Sequence, residues 1–185
     1  WSTDNVASLT TAQVVGLTTA QVAAMTTAQV ANLTTTQMEA METADLRALT
    51  TAQAGVLSSA QIDALSTAQL VAIETADLRN LQTASLAGLG TAHMAALTSA
   101  QVAALSTGQV AALSTEQVAA IVTANMAALS TAQIRALPDG SVTALTTAQI
   151  VALNSAQVAS LTTSQVVALD TAQVAAIETL SLIHI

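Results

Sequence analysis

The chain has 185 residues, with eleven acids, three arginines, no lysine and no cysteine, for a net charge of −8. This excludes the clustered Lys/Arg that grip a phosphate backbone and also disulfides and thiolate metal sites. Hydrophobic residues make up 52% of the chain, but Trp1 is the single aromatic and much of the rest is alanine, so any core is thin and aliphatic; Thr and Gln break every apolar run well short of the roughly 18 residues of a membrane span.

The chain is periodic from its first residue. A large apolar residue stands at Trp1, Leu9, Leu17, Met25, Leu33 and every eighth position to Ile177, and a short fixed period marks a repeat array. With the eight slots numbered from that residue, slot six is Val, Ile, Leu or Met except at Ala54. Slots four and eight are mostly Ala, Gly or Ser, while slot seven admits Glu39, Arg47, Asp63, Arg79 and Arg135. These preferences predict a core built from slots one and six, close approach at four and eight, and solvent at seven.

Slots two and five vary together. Fifteen octads pair Ser, Thr, Asn or Asp at slot two with Gln at slot five, as in Thr10/Gln13, Ser58/Gln61, Asn154/Gln157 and Asp170/Gln173. Where slot two departs from this set, Gln is absent too: Glu42/Asp45, Glu74/Asp77, Gln82/Ser85, Gly90/His93, Val122/Asn125 and Pro138/Ser141. The spacing is that of a capping box, in which the first side chain accepts from the backbone N–H three residues on and the second reaches back to the N–H of the cap. Slots one and six then fall at the two positions of a hydrophobic staple. Each octad therefore reads as a helix start.

One continuous helix is excluded, because eight residues advance about 800° and the apolar face would drift by roughly 80° per octad. The predicted fold is an all-α solenoid or superhelix of very short helices, one per eight-residue repeat, stabilised by stacking since such helices are too short to stand alone. The alternative is a β-solenoid with stacked Thr ladders, favoured by Thr43-Ala44-Asp45-Leu46-Arg47 and Thr75-Ala76-Asp77-Leu78-Arg79, which resemble the core of pentapeptide repeats. The period of eight and the abundance of Ala, poor in strands, weigh for helices.

Along the chain, the octads are nearly uniform to Asn32. Glu42–Arg47 and its copy at residues 74–79 place acids in the first helical turn, where the helix dipole favours them, and read as solvated variants of the helix start rather than a calcium or ligand site. Gly88-Leu89-Gly90 is expected to loosen one turn, with His93 a polar stand-in for Gln, since a lone His is no metal site. Leu137-Pro138-Asp139-Gly140-Ser141 is turn chemistry, with Asp139 expected to cap a helix that begins one residue late. The octad phase fails at Leu180, and Leu180-Ser181-Leu182-Ile183-His184-Ile185 resembles the translation of a transposase-type sequencing adapter. The expectation is one continuous array over 1–179, an internal fragment of a longer one, with a non-native tail at 180–185.

Leu-Thr-Thr-Ala-Gln-Val-Val-Gly at 9–16 resembles the tandem L-T-T-A-Q-V-A-A octads of very large bacterial proteins, a resemblance that spans 1–179 and implies surface or exported proteins. Locally the octad is also similar to the first-helix start of TAL-effector repeats, which carries over a capping geometry only; the base-reading loop and basic residues are missing. No nucleophile–base pair, phosphate loop or metal-ligand spacing occurs, so no catalytic, cofactor-binding or metal residue is expected, and no enzyme. The sequence predicts a structural scaffold or spacer of a larger, exported or cell-surface protein, without nucleic-acid binding or membrane insertion. The alternatives are a peptide- or glycan-binding module, whose slot-seven residues would line a concavity, and an ice- or surface-binding array, which requires the β-solenoid.

Overall fold

The computed structural model describes residues 2–183, with side chains described through residue 177. The place of Trp1 in slot one, and the reading of 180–185 as a tail, concern residues outside that description. Among the described residues there are twenty-one α-helices, one 3-10 helix and no strand. The β-solenoid alternative is thereby overturned, and with it the ice-binding geometry that required it.

Most helices are five or six residues long, as in Thr19–Ala23, Thr35–Ala40 and Thr131–Ala136. Slot two is the N-cap, with extended backbone near φ −72°, ψ 160° at Thr10. The helix ends without glycine in a left-handed conformation, for no residue has positive φ among those described. Termination comes instead from slot one, whose N–H closes a short turn on the slot-six carbonyl, as Leu17 does on Val14 and Leu65 on Ile62. Slot one then turns extended, for example Met41 at φ −64°, ψ 137°, and delivers the chain to the next cap. Burying a large side chain every eighth residue and recapping at the ninth thus breaks the helix after less than two turns.

The chain divides into two compact units, Trp1–Leu97 and Thr98–Ile185. In each, a helix packs on the helix three octads later. In the first unit Thr11–Val15 meets Thr35–Ala40, and Ser59–Asp63 meets Thr83–Gly88; in the second, Thr107–Ala111 meets Thr131–Ala136, and Asp139–Thr143 meets Thr163–Ala168. Slots one and six fill the interior as expected: Val30, Met38, Leu46, Ile62, Val102 and Ile134 are fully buried, and Leu57, Leu65, Leu105 and Leu129 nearly so. Glu39, Arg47, Asp63, Arg79 and Arg135 at slot seven are exposed. Slot four corrects the expectation of close approach, since it faces solvent in every octad; close approach belongs to slot eight, where Ala72 and Gly88 are buried.

The segment at Gly88 is drawn in rather than loosened. Residues Thr83–Gly88 form the 3-10 helix, and a Cβ at Gly88 would collide with the backbone carbonyl of Ser59 in the preceding turn. The cause lies three residues earlier. Ser85 occupies slot five with a side chain far shorter than Gln, yet its Oγ donates to the Leu57 carbonyl at 2.5 Å, which requires the two turns to approach. Glycine at 88 permits this. Pro138 likewise corrects the sequence reading: it is itself the N-cap of Asp139–Thr143, so Asp139 is the first helical residue and the octad keeps its phase. Replacing Gly88 by Ala is expected to cost about 1–3 kcal/mol, the usual range for overpacking, measurable as a lowered urea midpoint. An unchanged midpoint would show that the turns can separate without loss.

Candidate functional site

The recurring polar chemistry of this chain lies in its slot-five side chains. Slot two accepts from the slot-five N–H and the slot-five side chain accepts from the slot-two N–H, in all fifteen Gln octads. Ser58 and Gln61 do so at 3.2 and 2.9 Å, Thr162 and Gln165 at 3.2 and 2.9 Å, Asp170 and Gln173 at 2.8 and 3.0 Å. Ser2/Asn5 forms the same box. The capping-box expectation is correct.

The other end of the same amide was not anticipated. Gln37 Nε2 donates to the carbonyls of Val6 and Leu9, 31 and 28 residues back, at 2.9 and 2.8 Å. Gln53 repeats this on Val22 and Met25, Gln61 on Val30 and Leu33, Gln69 on Met38 and Met41. In the second unit Gln133 reaches Val102 and Leu105, Gln157 reaches Met126 and Leu129, and Gln173 reaches Val142 and Leu145. These glutamines are 1–6% exposed. A separation of 28 residues, three and a half octads, measures one superhelical turn within each unit. Each amide thus fastens its own helix start with Oε1 and the turn beneath with Nε2. The sequence signal was the use of Gln and never Glu at slot five, where a capping box accepts Glu equally well.

A profile of the ALTTAQ repeat matches residues 2–37, 38–72, 70–107, 94–123, 101–131, 118–155 and 144–179. The chain belongs to the ALTTAQ repeat family. No curated protein and no solved structure matches it.

The irregular ALTTAQ octads follow the same geometry with other atoms. His93, 8% exposed, accepts the Gly90 N–H on Nδ1 at 3.1 Å and meets the Leu65 carbonyl with Nε2 at 2.6 Å. With the ring proton on Nε2, the imidazole accepts at the cap and donates to the turn behind as a Gln amide does, but to the Leu65 carbonyl alone. The sequence reading of His93 as a stand-in is correct, and it does more than cap. Asp45 and Asp77, each 3% exposed, cannot do this as carboxylates, because they bring an acceptor where the amide brings a donor. Oδ2 of Asp45 is buried without a hydrogen-bond partner, as is Oγ of Ser141. Ser141 resembles Ser85 in length, but Ala144 stands where Gly88 lets the turns close.

Burial raises the Asp45 pKa above its ordinary value, and Glu42 adds to the shift, with the Glu42 backbone N–H partly opposing it; burial and then Glu74 raise that of Asp77. A carboxyl whose folded pKa is raised favours the native state most when protonated. Its contribution is therefore complete below the unfolded value near 3.8 and is lost as pH rises through the higher folded value.

Two shallow grooves of about 610 and 510 Å³ lie on the first unit. Glu39, Glu42, Ser66 and Gln69 are among the residues lining the larger, and Gln21, Met25 and Gln29 are among those lining the smaller. Of the five slot-seven residues that a binding groove would need, Glu39 lines the larger; Arg47, Asp63, Arg79 and Arg135 line neither. Among the described residues no cluster of His, Cys, Asp and Glu is arranged to hold a metal ion. No helix among them is long and apolar enough to cross a membrane.

Gln61→Glu keeps the capping acceptor and deletes both Nε2 bonds, so it is expected to cost about 2–3 kcal/mol at neutral pH. Gln13→Glu deletes no inter-turn bond and is expected to cost under about 0.5 kcal/mol. Urea denaturation of the two variants checks this, and equal costs would show that the inter-turn bonds contribute nothing. Replacing Asp45 and Asp77 together by Asn is expected to stabilise the chain increasingly as pH rises from about 4 to 7, because only the wild type loses the protonated form. Denaturation at the two pH values measures it; a pH-independent difference would contradict the assignment.

Proposed function

We propose that this array is a structural spacer within a larger protein rather than a catalyst or a reader of nucleic acid. The observation that supports it most directly is the use made of the polar side chains. The slot-two hydroxyls are engaged in capping boxes, and the slot-five amides carry the inter-turn bonds of both units. Such an array has nearest-neighbour energetics, so stability accumulates turn by turn and length changes by whole octads.

The departures at 42–47, 74–79, 93 and 138–141 all remain within the octad length and all act through slots two and five. A built site would show polar groups that converge without a role in holding the turns together; the groove with Glu39 and Glu42 is open and has no cation facing the two acids among its lining residues. A surface with three arginines, no lysine and a charge of −8 repels a phosphate backbone. The Thr-rich, lysine-free composition is compatible with an exported or cell-surface setting for the parent protein.

Titration against duplex and single-stranded DNA at low and at moderate salt tests the reading. No saturable binding is expected at either. Salt-sensitive micromolar binding would overturn the spacer assignment and make nucleic-acid recognition the leading function.

A further inference from the structure

The hydroxyl at slot three of the ALTTAQ octad takes no part in joining the turns, yet it is held more strictly than the slots that do. From Thr11 to Thr171 slot three is Thr or Ser in every octad but one, where Asp139 follows Pro138. It stays so where its neighbours change: slot two becomes Glu42, Glu74, Gln82, Gly90 and Val122, while slot three remains Thr43, Thr75, Thr83, Thr91 and Thr123. Slot seven, which also faces water, drifts through Ala, Val, Gly, Thr, Glu, Asp and Arg. Exposure alone therefore does not select a hydroxyl.

Helix formation does not select it either. Slot three is the first residue of its helix, as at Thr11, Thr35 and Thr123. Pro or an acid would serve better there, and Thr is a weaker helix former than Ala. From Thr11 to Thr171 every slot-three side chain is exposed. The hydroxyls of Thr11, Thr35, Thr43, Thr75 and Thr123 form no hydrogen bond among the described residues; Ser99, which donates to Asn125 Oδ1 at 2.6 Å, differs. Slot two stands in contrast, for Thr10 and Thr34 accept from the Gln13 and Gln37 N–H at 3.3 and 3.2 Å. Slot four is also exposed and is Ala or Gly in most octads, which leaves room about each slot-three hydroxyl.

We propose that the slot-three hydroxyls are acceptors for O-linked glycosylation. In the transfer the hydroxyl oxygen attacks the anomeric carbon of a hexose or N-acetylhexosamine carried on a nucleoside diphosphate. The bond from that carbon to the phosphate oxygen breaks, the nucleoside diphosphate leaves with the electron pair, and the hydroxyl proton passes to a base of the transferase. The acceptors have closely similar surroundings, with a cap residue before and a small residue after, so one enzyme reading one octad reaches them all. A turn takes three and a half octads, which spreads the hydroxyls round each unit instead of on one flat face, as a coat requires and a single ligand does not. Charged residues make up 8% of the chain, far below the roughly 25–35% of a well-solvated surface, and Ala predominates at slots four and seven. Sugar hydroxyls hydrate such a surface without adding charge. Phosphoryl groups at the same density would add to a net charge of −8 with three arginines to pair them. A bare array still serves as a spacer, so failure here leaves the proposed function untouched.

The experiment is mass spectrometry of the protein isolated from cells of its own organism, fragmented by electron transfer so that sugar–oxygen bonds survive and each increment is placed on a residue. Hexose or N-acetylhexosamine increments are expected on slot-three residues such as Thr11, Thr35, Thr75 and Thr123, and not on the capping Thr10 and Thr34. Thr35→Ala with Thr123→Ala is expected to lose those two increments while circular dichroism retains the wild-type helical signal, since neither hydroxyl holds a cap. Thr35→Ser with Thr123→Ser is expected to keep both. A protein without sugars, sugars at slot two instead of slot three, or phosphoryl increments at slot three would each overturn the proposal.

Discussion

The primary amide of glutamine at slot five is the group on which this architecture depends. Its carbonyl oxygen accepts from the N-cap of its own helix, and its nitrogen donates to backbone carbonyls one superhelical turn away, as Gln61 does with Ser58 on one side and with Val30 and Leu33 on the other. A helix of five residues is far below the length that is stable in isolation, and the slot-one carbonyl that follows it, as at Leu33, would otherwise lie buried without a donor, at a cost of about 1–3 kcal/mol. The amide answers both needs at once. Local and long-range order are therefore set by the same side chain, and neither forms well without the other.

The length and polarity of that side chain also set the distance between turns. Imidazole at His93 has an acceptor and a donor at the right reach and joins the Gly90 N–H to the Leu65 carbonyl. Serine is too short, and the turns must move. They do so at Ser85, because Gly88 removes the obstructing Cβ, and they do not at Ser141, whose hydroxyl stays unpartnered beside Ala144. Aspartate at 45 has the wrong polarity, so burial and Glu42 drive its carboxyl toward the protonated form. The irregular octads are thus not decoration on a fixed frame. Each is a different solution to joining one turn to the last, and each leaves a measurable consequence.

Repetition of a directional bond has a further effect. Because buried slot-five Gln side chains reach backward and buried slot-six residues are covered from ahead, the stacking has a direction that no single octad shows. The difference between exposed Gln13 and buried Gln173, or between buried Val14 and exposed Val166, is wholly a matter of position in the stack. The buried slot-five amides spend their hydrogen-bonding capacity in holding neighbouring turns, as Gln61 does on Val30 and Leu33.

The sequence by itself determined everything that depends on residues within one octad. The cap at Thr10, the reach of Gln13 back to it, the burial of slots one and six and the exposure of Arg47 and Arg135 all follow from spacings of three to five residues, where chain geometry leaves little choice. Only the tertiary structure decided which carbonyls lie 28 and 31 residues behind a buried Gln such as Gln61, that slot four is outside while slot eight is buried at Ala72 and Gly88, that Pro138 rather than Asp139 is the cap, and that Gly88 tightens a turn. The reason is that turn size accumulates from small bends at every connection between helices, and no single octad encodes that sum. The consistent use of Gln over Glu held the clue, but its meaning required the facing carbonyls to be known.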